Sequence, residues 1–202
     1  MARMSADARR VQLIEAAIVV MARDGVAKAT TRAIVGEAEM PLGVFHYCFR
    51  SKEELLEQVI ETIHRGSIER VQGLAGTQTT VEAALRSSLQ AYWDHVVANP
   101  AMHMLTYELT QYALRQPGLE GVARKQYETY VGTLVTHLDA TADRLDVTYQ
   151  RPTSVLARYL FTIIDGLTLN WLILGDDPDA EAVLDEVASH VAGLAQPHTA
   201  PA

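Results

Sequence analysis

Residues 30–56, TTRAIVGEAEMPLGVFHYCFRSKEELL, constrain this chain more than any other stretch. Thr30 or Thr31 can cap a helix whose apolar members Ala33, Ile34 and Ala38 share one face. Glu39-Met40-Pro41 then breaks the pattern before a second short helix, Leu42 to Phe49. Pro41 suits the first turn of that helix, where an N–H is dispensable. Ser51, with Glu54 three residues on, forms a capping box that starts a third helix through Leu55, Leu56, Val59, Ile60 and Ile63 toward Val71. Two short helices about a tight turn form a helix-turn-helix, whose second helix enters a DNA major groove while the first crosses the phosphate backbone. Phe45 and Phe49, four apart, read as core, and Met40 packs under the turn, which leaves their polar neighbours outward.

An earlier helix, about Asp7 to Arg23, places Ile14, Ala17, Ile18 and Met21 on one face and ends at Asp24-Gly25, where glycine can take a left-handed cap. With that helix included, the order T-x-R-x-I-x-x-E-A, a turn, then G-V-F-H-Y-x-F-x-S-K-E-E-L-L resembles the N-terminal domain of the TetR family of bacterial repressors. The resemblance implies Thr30, Arg32 and Lys52 as phosphate contacts, Pro41, Leu42, Val44 and His46 facing base edges, Tyr47 on backbone or base, and close approach to DNA at Gly43. The chemistry agrees, since cations neutralise phosphate and hydroxyl and N–H groups donate to its oxygens. Two positions depart from the family pattern: Glu39 replaces the usual turn glycine, and Cys48 a common aromatic. Glu39 must then accept a left-handed or adjusted backbone. Gly36, inside the first motif helix, costs roughly 1 kcal/mol relative to alanine unless a close contact uses the gap.

The overall charge is −8, which by itself argues against a nucleic-acid partner. Its distribution points the other way: residues 1–50 carry seven Lys/Arg and five Asp/Glu, a net of +2, and the remainder a net of −10. Only the head should approach DNA. The N-terminal arm with Arg3 reads as a disordered start. One cysteine, Cys48, excludes an intramolecular disulfide and suits a reducing, cytoplasmic location. No signal peptide is visible, and the apolar run Leu156–Leu174 is interrupted by Arg158, Asp165 and Asn170, so a buried helix is expected there and no membrane partner.

Gly73 to Thr80 is a boundary candidate ending in a second capping box, Thr79 with Glu82. Helices follow over Val81–Ala98, Ala101–Arg115, about Leu119–Leu145 and Thr153–Leu174, and a last one carries Val183, Leu184, Val187, Val191 and Leu194. The expected fold is all-α, with a three-helix DNA-binding domain at 1–52, a helical ligand-binding and dimerisation domain at 53–195 and a disordered tail at 196–202. A helix apolar on nearly every face, beside a second amphipathic helix, implies self-association. The resemblance likewise implies a homodimer through the last two helices and a near-palindromic operator in double-stranded DNA.

The central helices hold Tyr92, Trp93, His95, Met102, His103, Met104, Tyr107, Tyr112, Tyr127, Tyr130 and Trp171. Trp93, Met104, Tyr107, Tyr127 and Trp171 are the candidate lining of a pocket for a small apolar or aromatic effector. Ligand binding there would shift the equilibrium between two head spacings and release the operator. The rival classes are a helical interaction protein without operator binding and an enzyme. For the enzyme the sequence offers no zinc-protease His pair, phosphate-binding glycine loop or nucleophile elbow. His95 and His103, eight apart across Pro100, are poorly spaced for a metal, and neither a metal nor a cofactor is expected.

Overall fold

The computed structural model describes residues 5–72, 78–175 and 178–198. Among these residues it contains nine α-helices and two short strands: α1 (Ala6–Asp24), α2 (Thr31–Glu37), α3 (Leu42–Cys48), α4 (Lys52–Gln72), α5 (Val81–Ala98), α6 (Pro100–Arg115), α7 (Glu120–Leu145), β1 (Val147–Tyr149), α8 (Thr153–Leu174), α9 (Ala180–Ala192) and β2 (Ala195–Pro197). A one-turn 3-10 helix, Val26–Lys28, joins α1 to α2. Parts of three expected features lie outside the described residues: the arm over 1–4, the boundary stretch over 73–77 and the tail over 199–202.

The chain divides into two compact units, Met1–Arg65 with Ala101–Gln126, and Gly66–Pro100 with Tyr127–Ala202. The first has its own core, in which Leu13, Ala17 and Val20 of α1, Ile34 of α2, Phe45 of α3, Phe49, and Leu55 and Leu56 of α4 are buried with Leu105 and Leu109 of α6. This unit thus holds residues 53–65 and 101–126 besides the 1–52 expected as the DNA-binding domain. The second is built on Leu85, Leu89, Trp93 and Val96 of α5, Leu138 of α7, Leu156 and Leu160 of α8, and Leu184, Val187 and Val191 of α9. An Arg86–Asp185 ion pair joins α5 to α9.

Several local expectations change. Thr80, not Thr79, caps α5, accepting from Ala83 N at 3.1 Å. It holds the extended backbone a cap needs. Pro41 lies one residue before α3, in extended conformation at φ −64° and ψ 146°, and Phe49 ends that helix in extended backbone. The tail expected to be disordered from 196 begins instead in β2, which pairs antiparallel with β1, Thr148 opposite Gln196. Three-residue strands carry too little alternation to be read in a sequence. The helix α8, expected to be buried, is buried over only 28% of its most apolar window, although length and composition alone would let it cross a membrane. Val155, Tyr159, Leu169, Ile173 and Leu174 are exposed along it.

Candidate nucleic-acid interface

The local sequence explains how the helix-turn-helix is held. Thr30 caps α2, its hydroxyl accepting from Ala33 N at 3.2 Å. After α2 the chain turns at Glu39, whose φ of +53° is left-handed, and Met40 N closes the turn on Val35 O at 2.8 Å. Glutamate thus adopts the glycine-like conformation its position demands, at the cost of backbone strain. Gln12 of α1 reaches across to donate to Ala38 O at 3.1 Å, satisfying a carbonyl at the end of α2.

The C-terminal end of α3 is fixed by Arg10, a residue that no sequence motif singles out. Its guanidinium donates to Cys48 O at 2.5 Å and to Glu54 Oε1 at 2.6 Å, and lies 4.5 Å from the centre of the Phe49 ring. Glu54 N donates to Ser51 Oγ at 3.3 Å, as a capping box requires, but the return bond comes from Arg50 N, at 2.9 Å, rather than from Ser51 N. The Arg50 N–H and then the Arg10 guanidinium hold the Glu54 carboxyl below its usual range. One residue of α1 therefore ties the end of the second motif helix to the start of α4.

On this frame Pro41, Leu42, Gly43, His46 and Tyr47 form an exposed face, with Tyr47 72% accessible, and Thr30 and Arg32 are exposed at the start of α2. A Cβ at Gly43 would meet nothing within 4 Å, so the backbone there is open to close approach. Val44 sits apart from this set, half-buried and packed on the core. Lys52 is also half-buried: its Nζ lies 3.4 Å from the Tyr112 hydroxyl and 5.0 Å from the centre of that ring. Glu108 adds a second tie from α6, accepting from Val26 N at 2.7 Å beside Gly25. Gly25 has φ +87°, and a Cβ there would come 3.0 Å from Glu108 Oε1, so glycine meets both a conformational and a steric demand.

The five candidate pocket residues are divided between the units. Met104, exposed, and Tyr107, half-buried, belong to the first; Trp93, Tyr127 and Trp171 belong to the second. Trp93 and Trp171 meet edge to face with centroids 5.9 Å apart. Tyr127 packs on Phe161 and Tyr130 at 5.1 and 6.1 Å. Phe161 carries no sequence signal for this place, and Asp165 shows in the sequence only as an interruption of an apolar run. A separate surface groove of about 450 Å³ runs along α5, lined by Ala83, Arg86, Ser87, Gln90, Ala91 and Asp94. That lining holds no aromatic side chain and does not match the aromatic set. No group of three or more His, Cys, Asp or Glu side chains among the described residues could hold a metal.

Known proteins share both halves of this architecture. The profile of bacterial regulatory proteins of the tetR family matches residues 13–59, and that of the C-terminal region of BetI-type transcriptional repressors matches residues 78–196. A nicotine-responsive transcriptional repressor, HdnoR of Paenarthrobacter nicotinovorans, is 29% identical over 185 residues, covering 92% of this chain and 94% of its own. A transcriptional regulator from Rhodococcus sp. Rha1 superposes with a TM-score of 0.72 at 19% identity, over 95% of this chain and 99% of its own. The multidrug binding protein EbrR, solved with imidazole, gives 0.69 at 24%, over 96% and 92%. A helix-turn-helix with an exposed second helix inside the tetR-family match, followed by a helical body that carries the BetI-type C-terminal pattern, places the chain in the TetR family of ligand-responsive, DNA-binding transcriptional regulators.

Proposed function

We propose that this protein binds a near-palindromic operator as a homodimer, represses from it, and is released by a small apolar or aromatic ligand. The observation that carries the reading is the outward face of α3, with Tyr47 72% accessible on a helix held at its C-terminal end by Arg10, beside an α2 whose end is held by Gln12. Thr30, Arg32 and Lys52 meet phosphate, while Pro41, Leu42, Gly43, Val44, His46 and Tyr47 lie along the groove. Val44 presents only the part of its side chain that the core leaves free. Lys52 reaches DNA from its seat on Tyr112, so its charge is oriented before binding. The dimer forms through the exposed stripe of α8 together with α9, which accounts for the large apolar side chains left open on α8. The nicotine-responsive repressor that resembles this chain supports an aromatic effector. Effector binding needs only to favour one spacing of the paired heads by a few kcal/mol. Such a protein works in the cytoplasm and needs no cofactor.

The test is selection from a random duplex pool, followed by binding across a salt series. A palindrome should emerge, and Lys52→Ala should lower the salt slope by about 1. No enrichment above the random pool at low salt would favour a helical interaction protein instead.

A further inference from the structure

We propose that Tyr92, Tyr127, Tyr130, Phe161, Asp165 and Thr168 form a site for a lipophilic organic cation, an amine or quaternary ammonium with an apolar body. This rests on the reading that a small effector binds the helical body, and it specifies the effector's charge. All six residues belong to the second unit. Phe161, Asp165 and Thr168 follow the i, i+4, i+7 rhythm of one face of α8, roughly a third of a turn from the exposed stripe of Val155, Tyr159 and Ile173. Tyr127 and Tyr130 of α7 meet that face, with Phe161 5.1 Å from Tyr127 at an interplanar angle of 90° and 5.6 Å from Tyr130. Tyr92 of α5 closes the set, its hydroxyl 3.4 Å from Thr168 Oγ1.

The chemistry of the cluster selects the ligand. Asp165 is the acidic member, and the Tyr127 hydroxyl donates to it. Burial, and then the Asp165 charge, push the Tyr127 phenol up to about 12; burial first, with Tyr130 and Asp165 adding, does the same to Tyr92. Both phenols therefore stay neutral, and the aromatic faces and the carboxylate together present negative potential. An anion would be repelled. A neutral apolar ligand would gain nothing from the carboxylate and would make its desolvation costlier. A cation is attracted by the carboxylate and the ring faces together. Tyr127, Tyr130, Phe161 and Asp165 are each only half-buried, so the cluster has a reachable side.

The experiment measures direct binding of benzyltrimethylammonium, its uncharged carbon isostere neopentylbenzene, and phenylacetate to the full chain, to Asp165→Asn and to Phe161→Leu. Operator release is read separately, and circular dichroism verifies folding. The cation should bind about tenfold more tightly than the isostere, phenylacetate should not bind, and both variants should lose most of that preference. Equal binding of cation and isostere, no binding of the cation, or an undiminished preference in both folded variants would overturn the site. Cation binding that leaves operator affinity unchanged would uphold the site while counting against effector release. Operator release by neopentylbenzene, retained in Asp165→Asn, would uphold release and overturn the cation site.

Discussion

Glu39 occupies a left-handed turn, φ +53°, with its side chain exposed. Non-glycine residues are disfavoured there by roughly 1–2 kcal/mol, and glycine returns part of that gain as unfolded-state entropy. Glu39→Gly should therefore stabilise the protein by about 0.5–1 kcal/mol in urea unfolding. A loss of stability would show that the Glu39 side chain makes a compensating contact. His137 has a different dependence. Its Nε2 lies 3.1 Å from Ser88 Oγ, which is also 3.0 Å from Ala84 O. Burial, with the Arg144 charge adding, lowers the His137 pKa from its ordinary 6.5. The unfolded chain then binds the extra proton first, so stability is fully present above pH 6.5 and declines as pH falls through the folded pKa. Unfolding curves of His137→Gln should show a shallower decline over that window, and an unchanged slope would contradict the assignment.

At the scale of elements, α2 carries Gly36 on an exposed face where an added Cβ would meet nothing within 4 Å. The close packing contact that could have justified glycine is absent, so Gly36→Ala should add roughly 1 kcal/mol of stability, measured by thermal unfolding. The tie between α6 and the turn after α1 should behave oppositely: Glu108→Ala strands the Val26 N–H and should cost about 1–2 kcal/mol. Glu108→Gln, which keeps an acceptor, should cost less. Periodicity and breakers made most helices legible: α5 and α8 run Val81–Ala98 and Thr153–Leu174, as their apolar spacing and flanking prolines indicate. What held the reading pair in place was not legible. Arg10 to Cys48, Gln12 to Ala38 and Val26 to Glu108 join residues 38, 26 and 82 positions apart, and no local pattern signals such pairs. The exposure of Pro41, Leu42, Gly43, His46 and Tyr47 agrees with the motif, but Val44 did not separate from them, because a half-buried position on a one-face helix looks the same in sequence as an exposed one. Asp165 left a trace, a lone carboxylate in an apolar helix, without its aromatic partners.

At the scale of the molecule, under the proposed function the weakly basic first 50 residues approach DNA while phosphate repels the acidic remainder. The stripe on α8, with Ile173 69% and Leu169 40% accessible, is too apolar to face water across a whole helix. Leu169→Glu with Ile173→Glu should yield a monomer by sedimentation and weaken operator binding, because two reading heads would no longer be joined. A dimer that survived both charges would place the interface elsewhere. The role of the braced, exposed face of α3 as the DNA reader is tested most directly by titrating the selected operator and a random duplex with the wild type and with Tyr47→Ala. Tyr47→Ala should weaken operator binding by about tenfold or more, at 1–3 kcal/mol for such a contact, with the melting temperature unchanged. Equal operator affinity for the two proteins, in the same salt, would contradict that role.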